Sequence, residues 1–165
     1  MFKDGFNNII SMDISNEIAK IMDNRLERYE GNLSYIVGDV FNMKFESSSF
    51  EAVIDKALLD SILCKEDGIN DAINMCKEIS RILGIQGKFL CVSHSFDRGE
   101  LIFGKLPWKW ERLPISLKDL VDGNEEENSI SKDKKDINKK ASQKIKNENL
   151  EKAEHYLYIM TKTEN

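Results

Sequence analysis

The stretch that most constrains this chain covers residues 33–63, LSYIVGDVFNMKFESSSFEAVIDKALLDSIL. It holds two short apolar runs, residues 33–37 and 52–54, with an acid closing each, Asp39 and Asp55. Runs this short and rich in Val and Ile suit buried parallel strands, although periodicity alone does not exclude helix. In an open parallel sheet, ligands lie beyond the carboxyl ends of the strands, where both acids would stand. Between them, residues 43–50 read as an irregular connection, with three consecutive serines before Phe50 restarts the chain. The pattern therefore predicts a small-molecule site with carboxylates along its rim.

The flanking sequence supplies more of the same architecture. Asp4-Gly5 marks a turn, residues 9–12 read as a strand, and Asp13 stands at its carboxyl end. Ser15 can cap a helix whose apolar positions are Ile18, Ile21, Met22, Leu26 and Tyr29, with Gly31 as its stop. Strand, acid, helix and strand make half of a nucleotide-binding unit. Downstream, Ile69, Ile73, Cys76, Ile79 and Leu83 predict an amphipathic helix ended by Gly84, and Gly87 opens a strand over residues 88–92. Ser93-His94-Ser95 follows that strand. His94 has no acidic or cysteine neighbour that would make a triad or a metal site, so it reads as an ordinary strand-end histidine. Residues 97–104 predict a short helix. Pro107 and Pro114 bracket Trp108 and Trp110, which alternation puts on one face of a strand, covering the edge of a core or lining a cation–π wall. Residues 122–151 contain no aromatic side chain and are dominated by Lys, Glu, Asp, Asn and Ser, a low-complexity insertion. Residues 155–162 alternate and read as a last strand, paired with residues 108–113.

From Gly38 to Asp60 the pattern G-D-V-x-x-M-x-F-x-S-x-S-F-E-x-V-I-D-K-x-x-L-D resembles the class I S-adenosylmethionine-dependent methyltransferases. More narrowly, it resembles the group that methylates lysines of translation elongation factor 1A. That group carries an acidic-Lys-Gly-Thr-Leu-Asp run after its fourth strand. Here the run is Asp55-Lys56-Ala57-Leu58-Leu59-Asp60, so its ends match and its middle departs. The similarity extends from about Lys3 to Leu120 and resumes at residues 155–162.

The resemblance implies an α/β, Rossmann-like sheet, mostly parallel with an antiparallel C-terminal strand. The core would span residues 1–121, the polar insertion 122–151, and residues 152–165 would add the final strand of the same domain. It implies that Asp13 receives the ribose hydroxyls of S-adenosylmethionine, with Ile14 beside it, and that Asp39 receives the adenine amino group, with Gly38 and Val40 at the ring. A carboxylate suits both tasks because it only accepts. Asp55 would border the cofactor, and Asp55, Lys56 and Asp60 would form the catalytic rim, with Asp13, Asp39 and Asp55 converging on one crevice. The family's first strand and glycine loop would lie upstream of Lys3 and do not occur in these residues. The loss of that central strand would expose two strand edges, and S-adenosylhomocysteine should bind this polypeptide weakly or not at all.

Net charge is −5 without a basic stripe, which argues against a nucleic-acid tract. Cys64, Cys76 and Cys91 are odd in number and lack C-x-x-C spacing, which predicts a reduced, cytoplasmic setting. Two histidines far apart give no metal-site spacing, and no apolar run approaches membrane-spanning length. The position after Asp55 lacks the Asn/Asp-Pro-Pro-aromatic turn of base methyltransferases. The expected function is protein-lysine methylation, with elongation factor 1A as the partner. The alternatives are a non-catalytic methyltransferase-like fragment serving in binding or assembly, and a small-molecule methyltransferase.

Overall fold

The computed structural model describes residues 5–6, 8–26, 32–115 and 154–163. They form two compact units, Met1–Glu46 and Ser47–Asn165. The expected insertion, the far end of the first helix with Tyr29 and Gly31, and the two ends of the chain lie outside the described residues.

In the first unit, β1 (Asn8–Asp13) and β2 (Asn32–Val37) pair in parallel, from Asn8 opposite Asn32 to Asp13 opposite Val37. Parallel strands need a crossover, and α1 (Asn16–Leu26) supplies it. Ser15 starts that helix as expected: its Oγ accepts the Ile18 N–H at 3.3 Å, and its carbonyl accepts the Ala19 N–H at 3.1 Å. The buried face differs from the sequence reading. Ala19 is buried, whereas Ile18 and Ile21 are 43% and 53% exposed. Two strands offer a helix a narrow floor, too narrow for the whole apolar stripe.

The second unit is built on a four-stranded sheet in the order β3-β4-β6-β5. Its strands are β3 (Phe50–Lys56), β4 (Leu83–Ser93), β5 (Trp108–Ile115) and β6 (His155–Lys162). β3 and β4 are parallel, and β6 is antiparallel to both of its neighbours, β4 and β5. Each unit thus holds one parallel pair, and in the second the C-terminal strand β6 is the reversed one, in keeping with the predicted α/β class. The sequence of β3, FEAVIDK, reads as an internal strand, yet among the described residues β3 is an edge of its sheet, and Ile54 is 49% exposed.

Helices α2 (Leu58–Leu63) and α3 (Gly68–Ile82) connect β3 to β4. The buried stripe of α3 is Ala72, Met75, Cys76, Ile79 and Ile82, rotated from the expected one, with Ile69 41% exposed. Gly84 does not end this helix. Leu83 already turns to extended backbone, and Gly84 lies inside β4. The early part of β4 is irregular, with Gln86 at φ 65° and a register shift opposite Phe50 and Ala52.

After β4 come α4 (Arg98–Leu101) and a 3-10 turn at Phe103–Lys105, where a short helix was expected. Phe89, Phe103 and Trp108 pack edge to face or tilted, with centroids 5.9 to 6.4 Å apart. Trp108 is buried, and its Nε1–H donates to Ser80 Oγ at 3.1 Å. Trp110 lies against Gly99, where a Cβ would stand 2.2 Å from the indole. Both indoles therefore cover the core edge, and the cation near Trp110 is Arg112, 6.0 Å from its ring centroid.

Candidate functional site

In the first unit, Asp13 and Asp39 come together at the carboxyl end of the parallel pair. Asp13 is the last residue of β1, and the Gly38 N–H donates to its carbonyl at 2.9 Å, joining the exits of β1 and β2. Each acid holds its own turn by the same device. Asp13 Oδ1 accepts the Ser15 N–H at 2.9 Å, and Asp39 Oδ1 accepts the Phe41 N–H at 2.9 Å. One oxygen of each carboxylate thereby orients the group. The second oxygen of each has no hydrogen-bond partner among the described residues, which leaves it for a hydroxyl or amino group. Gly38 runs hard against Met12, where a Cβ would lie 2.5 Å from the sulfur and 2.9 Å from Cγ. Around the acids stand apolar side chains: Ile14 is 75% exposed, Val37 47% and Phe41 38%, with Val40 half-buried. Open acceptors beside apolar walls match what an adenosyl group presents, namely hydroxyls, an exocyclic amine and a flat ring.

In the second unit, the carboxyl end of β3 holds Asp55, Lys56 and Asp60, and they differ sharply. Asp55 is buried and acts as a cap: Oδ1 accepts the Leu58 N–H at 2.9 Å, and Oδ2 accepts the Leu59 N–H at 3.0 Å. The Cys91 thiol also reaches Oδ2, at 3.5 Å. Burial pushes the Asp55 carboxyl above its ordinary range, against the pull of those two amides. Burial likewise pushes up the Cys91 and Cys76 thiols, so both remain protonated. Capping of α2 therefore falls to Asp55. Lys56 is exposed and makes no ion pair with a described residue.

Asp60 is the hub of a network. Its Oδ1 accepts from Ser93 Oγ at 2.6 Å and from Arg98 Nε at 3.3 Å. Its Oδ2 accepts the His94 N–H at 3.2 Å and lies 2.8 Å from His94 Nδ1. Burial raises the Asp60 carboxyl, but the bonds from Ser93 and His94 and the His94 and Arg98 charges outweigh it and hold the group below its ordinary range. Sequence reasoning missed this pairing, because the two residues are far apart in the chain. The signal lay in the topology: Lys56 is registered with Val92, so residues just beyond parallel β3 and β4 become neighbours. Among the described residues, no group of three or more His, Cys, Asp or Glu side chains could hold a metal, and no helix is long and apolar enough to cross a membrane.

Comparison with known proteins adds three findings. A family profile described as "Methyltransferase domain" matches residues 1–91. The chain is 32% identical over 91 residues to eEF1A lysine and N-terminal methyltransferase of Bos taurus, covering 54% of this chain and 13% of that protein. It is 32% identical over 103 residues to EEF1A lysine methyltransferase 2 of Homo sapiens, covering 61% and 43%. The chain thus spans less than half the length of these curated relatives. In fold, it is similar to the N-methyltransferase NodS of Bradyrhizobium japonicum, solved with S-adenosyl-L-homocysteine, at a TM-score of 0.58 and 10% identity over 96% of this chain and 67% of that one.

Proposed function

For a chain that belongs to the methyltransferase-domain family, we propose S-adenosylmethionine-dependent methyl transfer to a protein lysine, with translation elongation factor 1A as the acceptor. The observation that carries this reading is the pair of half-satisfied carboxylates, Asp13 and Asp39, at the carboxyl ends of two parallel strands. Asp13 receives the ribose hydroxyls and Asp39 the adenine amino group, while Ile14 and Val40 flank the ring and Gly38 keeps the wall flat. When bound, the cofactor supplies an electrophilic methyl group on a sulfonium. The identity of the acceptor is supported by the two relatives named for elongation factor 1A lysines.

Transfer of this kind needs alignment and exclusion of water more than a strong catalyst. The amine must be neutral, and bringing a lysine from a pKa of about 10.4 to neutral pH costs roughly 4–5 kcal/mol. Asp55 contributes by fixing the start of α2, and Asp60 by fixing the end of β4, beside the exposed Lys56. The setting is cytoplasmic, in keeping with three free cysteines.

The test is titration with S-adenosylhomocysteine, followed by amide NMR and calorimetry. Weak binding is expected, with shifts centred on residues 13–15 and 38–41 and lost in Asp13→Ala. Shifts elsewhere, or heat unchanged by Asp13→Ala, would overturn the placement. Tritiated methyl transfer to total cell protein and to metabolite extracts tests the acceptor: label confined to metabolites sinks the lysine reading.

A further inference from the structure

We propose that the uncovered face of the β3-β4-β6-β5 sheet is a docking surface for an amphipathic α-helix with acidic flanks, supplied by a partner protein. The surface lies wholly within the second unit and goes beyond the methyl-transfer reading, on which it does not depend.

Residues paired across a ladder point to the same side of a sheet. On one side, Asp55 caps α2, Phe89 and Trp108 pack on Phe103, and Trp108 reaches Ser80 of α3. On that side too, Trp110 lies against Gly99, and the Tyr158 hydroxyl accepts the Arg98 N–H of α4. The helices of this unit thus cover that face. On the other, two rows run across the sheet, Ile54-Leu90-Ile159-Glu111 and Lys56-Val92-Leu157-Leu113. None of these side chains is buried, and Ile54, Lys56, Glu111 and Leu113 are exposed.

The middle strands nonetheless have sequences suited to burial on both faces. A strand with one wet face alternates apolar and polar residues, whereas β4 runs Phe89-Leu90-Cys91-Val92 and β6 runs Tyr156-Leu157-Tyr158-Ile159-Met160. Ile54, Leu90, Val92, Leu113, Leu157 and Ile159 therefore form one contiguous apolar patch, which a monomer's surface normally lacks outside an interaction site.

Two features choose the occupant. Parallel strands such as β3 and β4 take helices as their cover. Strand spacing puts β3 and β5 about 14 Å apart, so a helix about 10–12 Å across fits along β4 and β6 with Ile54 and Leu113 as side walls. The rim supplies the charge. The next row holds Lys88 and Lys109 on either side of Thr161, while Lys56 stands at the β3 edge and Glu111 on β5. Three lysines against one glutamate, on a chain of net charge −5, favour carboxylates on the flanks of the helix. A second copy of the chain would bring the same excess of positive charge to both sides.

The experiment uses the full chain and two helical peptides of about 18 residues with the same leucine stripe, one flanked by glutamate and the other by lysine. Methyl NMR should place the glutamate peptide on Leu90, Val92, Leu157 and Ile159, and calorimetry should show it binding at least about tenfold more tightly than the lysine peptide. Lys88→Glu combined with Lys109→Glu should reverse that order, which a purely apolar contact would not do. Ile54→Thr combined with Leu113→Thr, at exposed strand positions that threonine suits, should weaken binding about tenfold with the circular dichroism unchanged. No binding, equal affinity for the two peptides, or shifts confined to other residues would overturn the proposal. So would a concentration-dependent dimer in sedimentation that shields the same methyl groups, since a second copy would then be the occupant. Methyl groups already shielded from a paramagnetic probe in the free chain would overturn it as well, since the chain itself would then cover the face.

Discussion

Ala57 sits at φ 71° and ψ −3°, the left-handed conformation that a Cβ disfavours by about 1–2 kcal/mol. The chain needs that turn so that Asp55 can fold back onto the amides of Leu58 and Leu59. The acidic-Lys-Gly-Thr-Leu-Asp run that this stretch resembles has glycine at this point, so the departure from that pattern is a local strain. Ala57→Gly should raise stability by up to about 1 kcal/mol in urea denaturation, the lost strain being offset in part by glycine's larger unfolded-state entropy. Asp60 offers a second test. Its folded-state carboxyl is held below the ordinary range, so its stabilising effect is complete above about pH 4 and fades as pH falls through the folded value. Asp60→Asn should therefore be less stable than wild type at neutral pH, by about 1–3 kcal/mol, and the gap should close in acid; a gap independent of pH would contradict this. At this scale the sequence was only partly legible. Asp13 and Asp39 announced themselves by following short apolar runs, but the partnership of Asp60 with His94 depends on strand register, which no local pattern encodes.

Elements were easier to read than their faces. The six strands of the described residues follow from short β-branched or alternating runs, and the breaks at Asp13, Ser93 and Pro107 mark their limits. The stripes of α1 and α3 were misjudged because burial depends on what each helix meets, not on its apolar content. The Trp108 and Trp110 alternation was read correctly, and their role at the core edge is set by Phe89, Phe103 and Gly99, which come from other elements. Tyr158 of β6 ties that strand to the segment after β4: its hydroxyl donates to the Ser95 carbonyl at 2.8 Å and accepts the Arg98 N–H at 3.2 Å. Removing only this oxygen leaves both partners without it. Tyr158→Phe should cost about 1–3 kcal/mol and speed hydrogen exchange at the Arg98 amide, and unchanged exchange there would refute the tie.

Across the whole molecule, the two sheets differ in how firmly they can be held. β4 and β6 are each paired on both sides, whereas β1 and β2 have one partner each among the described residues, and a lone pair of strands is marginal in water. Amides of β4 and β6 should exchange slowest, with those of β1 and β2 opening at lower free energy; equal protection of both sheets would be the contrary result. The pairing of β5 with β6 carries a separate consequence. Ile115 and His155 face each other across the ladder, so the chain leaves the sheet and re-enters it at one doorway. For any flexible connection between two such posts, doubling or halving its length alters the closure entropy by only about 0.6 kcal/mol. Evolution can lengthen, shorten or rewrite that segment almost without touching the ladder, which makes it the place where descendants of this chain are free to diverge.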